Sequence, residues 1–191
     1  MVVDIGGGRT ETAVISFYGI VAAESTRVAG DRLDEAIASY IKRRYRLVIS
    51  ERMAEEVKIR VGSALPLDGE LTCQVRGRDQ VSGLPRTVDV TASEIYQALQ
   101  EPLQAIVATI RAVFERTPPE LVSDVVDHGI VLVGGGALLR HLDRYITQEI
   151  GVPCYVAENP LECVALGAGI ALDYLELIKR ALPEGEWVVA P

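Results

Sequence analysis

Aromatic residues are scarce: one Trp, two Phe and seven Tyr make up 5% of the 191 residues. The core cannot rest on stacked rings. The 49% hydrophobic content and mean hydropathy of +0.21 fall to Val, Ile, Leu and Ala, enough for a sizeable core. Cysteine is scarce as well. Cys73, Cys154 and Cys163 are odd in number and show no CxxC spacing. This argues against a disulfide framework and a zinc site and suits a reducing compartment. Each is read as a small buried hydrophobe. His128 and His141 form no metal-binding or general-base pattern. A basic surplus is missing: the formal charge is −8, which argues against a nonspecific nucleic-acid surface. It leaves a single anionic ligand open, because backbone N–H groups can hold a phosphate without net charge. No charged-then-apolar leader opens the chain, and no apolar run approaches a membrane span. A polar lead-in is also lacking. Met1 runs straight into strand-like sequence, as expected of a chain cut from a longer one.

What is present alternates between strand and helix patterns. MVVDI reads as a strand, and GGG breaks it. TETAVIS and GIVAAESTRVAG read as two more strands, with Tyr18-Gly19 as the turn between them. From Asp31 the period changes to that of a helix, with Leu33, Ala36, Ile37, Tyr40 and Ile41 on its inner face. ERMAEEVKIRVGSA predicts a second helix, Met53, Val57 and Val61 inward, ended by Gly62. LTCQVRG and PRTVDVT predict short strands around the polar turn RDQVSGL. Thr91 and Glu94 form a capping box that opens a long helix, with Pro102 inside it as an expected kink. TPPEL stops and restarts the chain. GIVLV predicts a strand, GGG a turn, and ALLRHLDRYITQEI a helix with Leu138, Leu139, Leu142 and Ile146 on its apolar face. VPCYVA predicts a strand. NPLECVALGAGIALDYLELIKRAL predicts a final helix, with Asn159 as cap and Pro160 at its first position. The architecture expected is one α/β domain with a smaller domain, about 31–91, set into it.

Two apolar strands thus deliver a glycine triplet: DIGGG (Asp4 to Gly8) and VGGGAL (Val133 to Leu138). Glycine lets backbone approach a ligand closely, and successive N–H groups in such a turn can hold an anion. The first corner returns into a strand and would clasp phosphate as a hairpin. The second leads into a helix, whose N-terminus adds its dipole. Either triplet alone fits a tight turn at a sheet edge, and neither gives GxGxxG. Asp4 fits two roles equally: holding the water shell of Mg²⁺, or capping the turn. In the last helix Gly167 and Gly169 weaken helicity and point to close helix–sheet packing.

These motifs, together with VAGDRLDEAI (Val28 to Ile37), AEEVKIRVGSA (Ala54 to Ala64), VRGRDQVSGLPR (Val75 to Arg86), TPPEL (Thr117 to Leu121) and ECVALGAGIAL (Glu162 to Leu172), resemble MreB. That family comprises the bacterial actin homologues that set rod shape. The motifs occur in order from Met1 to about Lys179. VRGRD…GLP separates the family from sugar kinases and chaperone ATPases of the same superfold. The resemblance implies an actin-like ATPase (ribonuclease H-like) α/β lobe with an inserted smaller α+β subdomain. Residues 1–30 and 92–182 would form the core subdomain, 31–91 the outer one, and 183–191 a loose tail.

It also implies a site. Asp4, Gly6, Gly7 and Gly8 resemble the second phosphate loop, with Asp4 toward a metal through water. Gly134, Gly135, Gly136 and Ala137 resemble the adenosine motif. Ala54, Glu55, Glu56, Val57 and Lys58 resemble the helix lining adenine and ribose, Glu55 and Lys58 lying one turn apart on one face. As a bare sequence pair they also fit a surface salt bridge. The implied ligand is ATP or ADP with Mg²⁺. The implied function is that of an ATP-dependent cytoskeletal filament governing cell shape and wall synthesis. The implied partners are further copies of itself and membrane-embedded shape and wall-synthesis proteins, in the cytoplasm beneath the membrane. The family's first phosphate loop, the segment positioning the attacking water and the membrane-binding element would precede Met1. Binding and hydrolysis by this chain alone are therefore expected to be weak or absent. Arg9 stands where the family usually has Thr. Two other readings are a stand-alone half-actin that caps filaments, and an ATPase or phosphotransferase of the same superfold.

Overall fold

A computed structural model describes residues 1–175 except Tyr18 and Glu70. The expected helix continuation to Leu182 and the tail 183–191 lie outside the described residues, as does half of the Tyr18-Gly19 turn.

The chain opens with three strands, β1 (Val2–Ile5), β2 (Thr10–Ser16) and β3 (Gly19–Thr26), paired antiparallel in sequence order. Helix α1 (Gly30–Tyr45), strand β4 (Leu47–Val48), helix α2 (Glu51–Val61) and strands β5 (Thr72–Asp79) and β6 (Pro85–Thr91) follow. β4, β5 and β6 form an antiparallel sheet of their own. Helices α3 (Ala92–Arg116) and α4 (Pro119–His128) lead back to the first sheet. There β7 (Ile130–Val133) pairs parallel with β1, and β8 (Cys154–Val156) pairs parallel with β7. A 3₁₀ turn (Gly135–Leu138) and α5 (Leu142–Ile150) lie between these two strands, and α6 (Cys163–Asp173) comes last. The main sheet runs β3-β2-β1-β7-β8.

Hydrophobic placement explains the layers. Val3 and Ile5 of β1, with Ile130 and Leu132 of β7, are fully buried, as parallel central strands require. α3 lays Ile95, Leu99, Leu103, Ile106 and Ile110 on the core, the expected stripe at helical spacing. Each such side chain contributes about 1.5–3 kcal/mol by leaving water. The capping box forms: the Glu94 amide donates to Thr91 Oγ1 at 3.3 Å, and the Thr91 amide to the Glu94 carboxylate at 3.0 Å. That carboxylate also accepts from the Tyr45 hydroxyl at 2.8 Å, tying the end of α1 to the start of α3. Burial and this bond push the Tyr45 hydroxyl up to about 12. α3 runs as one element through Pro102, and the chain restarts at Pro119 as TPPEL suggests.

Four expectations need correction. The helix expected from Ala137 to Ile150 is split. Gly135–Leu138 is 3₁₀, His141 takes a left-handed φ of 60°, and α5 begins at Leu142. Leu138 is therefore turned outward and exposed. The final helix begins at Cys163, not Pro160, because residues 159–162 form a turn closed by the Glu162 amide on the Asn159 carbonyl. Among the described residues Gly167 and Gly169 pack against nothing: a Cβ on either would meet no atom within 4 Å, and no residue of α6 is buried. Of the cysteines only Cys73 is buried. Cys154 is partly buried, and desolvation pushes its thiol up to about 11.

Candidate functional site

The first glycine corner is built by backbone. The Gly6 amide donates to the Arg9 carbonyl at 3.0 Å and closes the turn. The carbonyls of Gly6 and Gly7 accept from the amides of Gly30 (3.0 Å) and Asp31 (2.8 Å). These are the first amides of α1, which no side chain caps. The corner thus satisfies donors that a helix start leaves open. Its carbonyls are turned toward α1. Among the described residues no backbone carbonyl accepts from the amides of Gly7 or Gly8. Two N–H groups therefore remain for an anion. Arg9 is half-exposed and pairs with Glu11 at 3.4 Å. Asp4 lines the open side of the corner with Gly8, Arg9 and Glu11. Burial, then the Glu11 charge, raises its carboxyl above the usual range.

The second corner packs directly on the first. β1 and β7 are parallel neighbours, so their ends lie side by side. Gly134 has φ +82°, and a Cβ there would lie 2.4 Å from Asp4 Oδ1 and 2.5 Å from the Ile5 carbonyl. A Cβ at Gly136 would lie 2.3 Å from the Ile5 side chain. Only glycine fits at either position, for conformation at the first and space at both. A further tie holds the corner from outside. The Ala64 amide donates to the Arg140 carbonyl at 2.9 Å, and Ser63 Oγ lies 3.3 Å from His141 Nδ1.

Helix α2 supplies the third wall. Ser50 caps it through the Met53 amide, and Gly62 ends it. Ala54 and Val57 point into the core. Glu56 lies on the outer face with Arg52 and Arg60. Glu55, Lys58 and Ile59 face inward over the corners. The Lys58 ammonium is engaged, donating to Asp34 Oδ2 at 2.8 Å and to the Gly30 carbonyl at 3.3 Å.

The three walls enclose a cleft of about 450 Å³, within the ~300–1,000 Å³ usual for small-molecule sites. Gly6, Gly7, Gly135 and Gly136 lie at its floor. Leu33, Ile59, Leu138, Leu139 and Leu161 give it apolar surface, and Asp31, Asp34 and Glu55 outnumber Lys58 and Arg140. Strand ends and glycine turns suit an anionic group, and the apolar slot beside them an apolar one.

The sequence profile of the MreB/Mbl protein family matches residues 1–180. The cell shape-determining protein Mbl of Bacillus subtilis is 50% identical over 183 residues, covering 95% of this chain and 55% of Mbl. MreB of Escherichia coli is 51% identical over 177 residues, covering 93% of this chain and 51% of MreB. The chain belongs to the MreB/Mbl family. The crystal structure of MreB5 of Spiroplasma citri bound to ADP superposes with a TM-score of 0.88 at 36% identity, over 94% of this chain and 54% of MreB5. A MamK double helical filament gives 0.69 at 22% identity over 84% of the chain, a likeness of fold alone. The fold is that of the actin-like ATPases. The chain spans about half the length of the MreB and Mbl relatives it matches.

Within this MreB/Mbl chain the cleft brings together Gly6, Gly7, Glu55, Lys58, Gly135 and Gly136 from the motifs. Gly134 and Ala137 sit behind them as packing, Ala137 fully buried. Gly8 and Asp4 lie on the neighbouring open side. Sequence reasoning missed Asp31, Asp34, Ile59, Arg140 and Leu161. The i,i+3 carboxylates Asp31 and Asp34, just after a glycine, were the available signal. Among the described residues no three metal-ligating side chains gather, and no helix is long and apolar enough to cross a membrane.

Proposed function

We propose that this chain forms one lobe of an MreB-like bacterial actin and supplies one wall of its ATP cleft. Residues 31–91 serve as the outer subdomain. The observation that carries this reading is the joining of the two glycine corners beneath Glu55 and Lys58. Phosphates bind the Gly7 and Gly8 amides and the second corner. The base lies against the apolar slot, and Glu55 takes a ribose hydroxyl. The cleft's carboxylates oppose a bare polyphosphate. A Mg²⁺ ion offsets that repulsion, and Asp4 suits it as a single, partly buried carboxylate holding the ion's water shell. In its intact form such a protein polymerises with ATP and organises wall synthesis with membrane-embedded partners.

Phosphoryl transfer needs groups on both sides of the nucleotide at fixed geometry. This chain offers one side. Calorimetry of the purified chain with ATP and Mg²⁺ tests the reading, with weak or no binding and no turnover as the expected result. Micromolar binding shifts the reading to a stand-alone half-actin that docks on filaments. Helix α6, apolar and left exposed by the described residues, favours that second reading. ATP turnover by the chain overturns both and makes it an enzyme.

A further inference from the structure

An ion pair outside the glycine motifs connects two walls of the cleft. Asp34 sits one turn into α1 and Lys58 two turns into α2, both largely buried, at 12% and 15% side-chain exposure. Their 2.8 Å ion pair is joined by the bond from Lys58 to the Gly30 carbonyl. The Gly30 amide in turn donates to Gly6, and the Asp31 amide to Gly7. A continuous path therefore runs from the first glycine corner, through the first turn of α1, to Lys58 and the helix that carries Glu55. Asp34 Oδ1 is buried and has no hydrogen-bond partner among the described residues. An orphaned buried carboxylate oxygen is costly, and folding alone gains nothing from keeping it. Glu55 and Asp31 add like charge around it.

We propose that Asp34 is a positioning residue. It latches α2 to the first glycine corner through Lys58 and Gly30, so that these two walls of the cleft move as one body. This deepens the nucleotide-cleft reading and rests on it for its purpose. A phosphate seated on the Gly6–Gly8 turn bears on the carbonyls that hold α1. Through Lys58 that displacement reaches α2, and the outer subdomain then senses which phosphates are bound. Without the latch, Lys58 swings free and α2 loses its fixed height above the corner.

Amide hydrogen exchange on the full chain tests the latch without any nucleotide, so its outcome is separate from that of the binding experiment. The variants are Asp34→Asn, Asp34→Ala and Lys58→Met, with the swapped pair Asp34→Lys/Lys58→Asp as rescue. The Gly30 and Asp31 amides, bonded to the corner, are the reporters. Removing either partner is expected to speed their exchange roughly ten-fold or more, since a buried charged bond of this kind is worth that factor. Amides of β1 and the middle of α3 should hold their rates, and the swapped pair should recover part of the loss. Unchanged exchange at Gly30 and Asp31 overturns the proposal. So does a rise of equal size throughout the chain, which makes the pair a general stabiliser. If Asp34→Ala does not fold, Asp34→Asn and Lys58→Met decide. Calorimetry on the same variants in an intact relative, at the matching positions, then reads the difference between ADP and AMPPNP. A latch narrows that difference when it is cut.

Discussion

Asp79 shows how much one side chain can organise. It ends β5, and its Oδ1 accepts from the amides of Val81 and Ser82, both at 2.9 Å. Oδ2 accepts from Arg86 across the hairpin at 2.6 Å. Within the VRGRD…GLP motif this carboxylate, with backbone bonds linking Asp79 to Gly83 and Leu84, closes the five-residue loop between β5 and β6. The Ser82 and Val81 amides, then Arg86, hold that carboxyl well below the usual range. The sign follows from linkage. A lowered folded value means stability that is full above the unfolded value, about 4, and lost as pH falls. Asp79→Asn should lower the urea midpoint at pH 7. Its deficit against the parent chain should shrink steadily as pH falls from about 4 toward 2. A deficit constant across that range would remove the charge from the explanation. Asp4 carries the opposite sign. Burial, then the Glu11 charge, raises its carboxyl, so its charged form weighs against stability as pH rises.

At the scale of elements, α3 and α6 are opposites. Both are rich in Leu, Ile, Val and Ala. α3 has a polar face and a buried stripe, whereas α6 is apolar on every side and buries none of it. Leu166 and Ile170 are more than half exposed, while Ile106 is fully buried. Leu166→Ser and Ile170→Ser should therefore move the stability of this chain by no more than about 0.5 kcal/mol. Ile106→Ala should cost about 2–5 kcal/mol through lost contacts and a cavity. Urea unfolding of the three variants measures both. A large loss at Leu166 or Ile170 would mean that α6 packs on something in solution.

For the whole molecule, charge is divided unevenly. Residues 31–91 carry eleven Lys and Arg against ten Asp and Glu, while the rest of the chain carries eight against seventeen. The negative charge is thus concentrated outside residues 31–91, which are close to neutral. On the single-lobe reading the chain presents only part of a longitudinal contact, so alone it should stay unpolymerised with ATP and Mg²⁺. Added to filaments of an intact relative, it should sediment with them or shorten them. Sedimentation with and without the relative checks this, and filaments formed by the chain alone would count against the single-lobe reading.

Much of this was legible in the amino-acid order. Periodicity located the strands and most helices. Thr91 and Glu94 announced the capping box, Gly62 the end of α2, and the paired triplets the two corners. These features follow from contacts within a few residues, where backbone sterics and local hydrogen bonds decide the outcome. Family membership was legible for a related reason: ordered motifs are a property of the chain itself. Tertiary structure decided the rest. The crowding of Gly134 on Asp4 and the union of the corners require β1 and β7, some 130 residues apart in sequence, to lie side by side, and the break at His141 sits against Ser63, just past α2. The Asp34–Lys58 pair joins two helices that no pattern links. The exposure of α6 is set by what the fold leaves uncovered, because hydrophobic sequence states that a surface seeks burial and not what, if anything, lies against it.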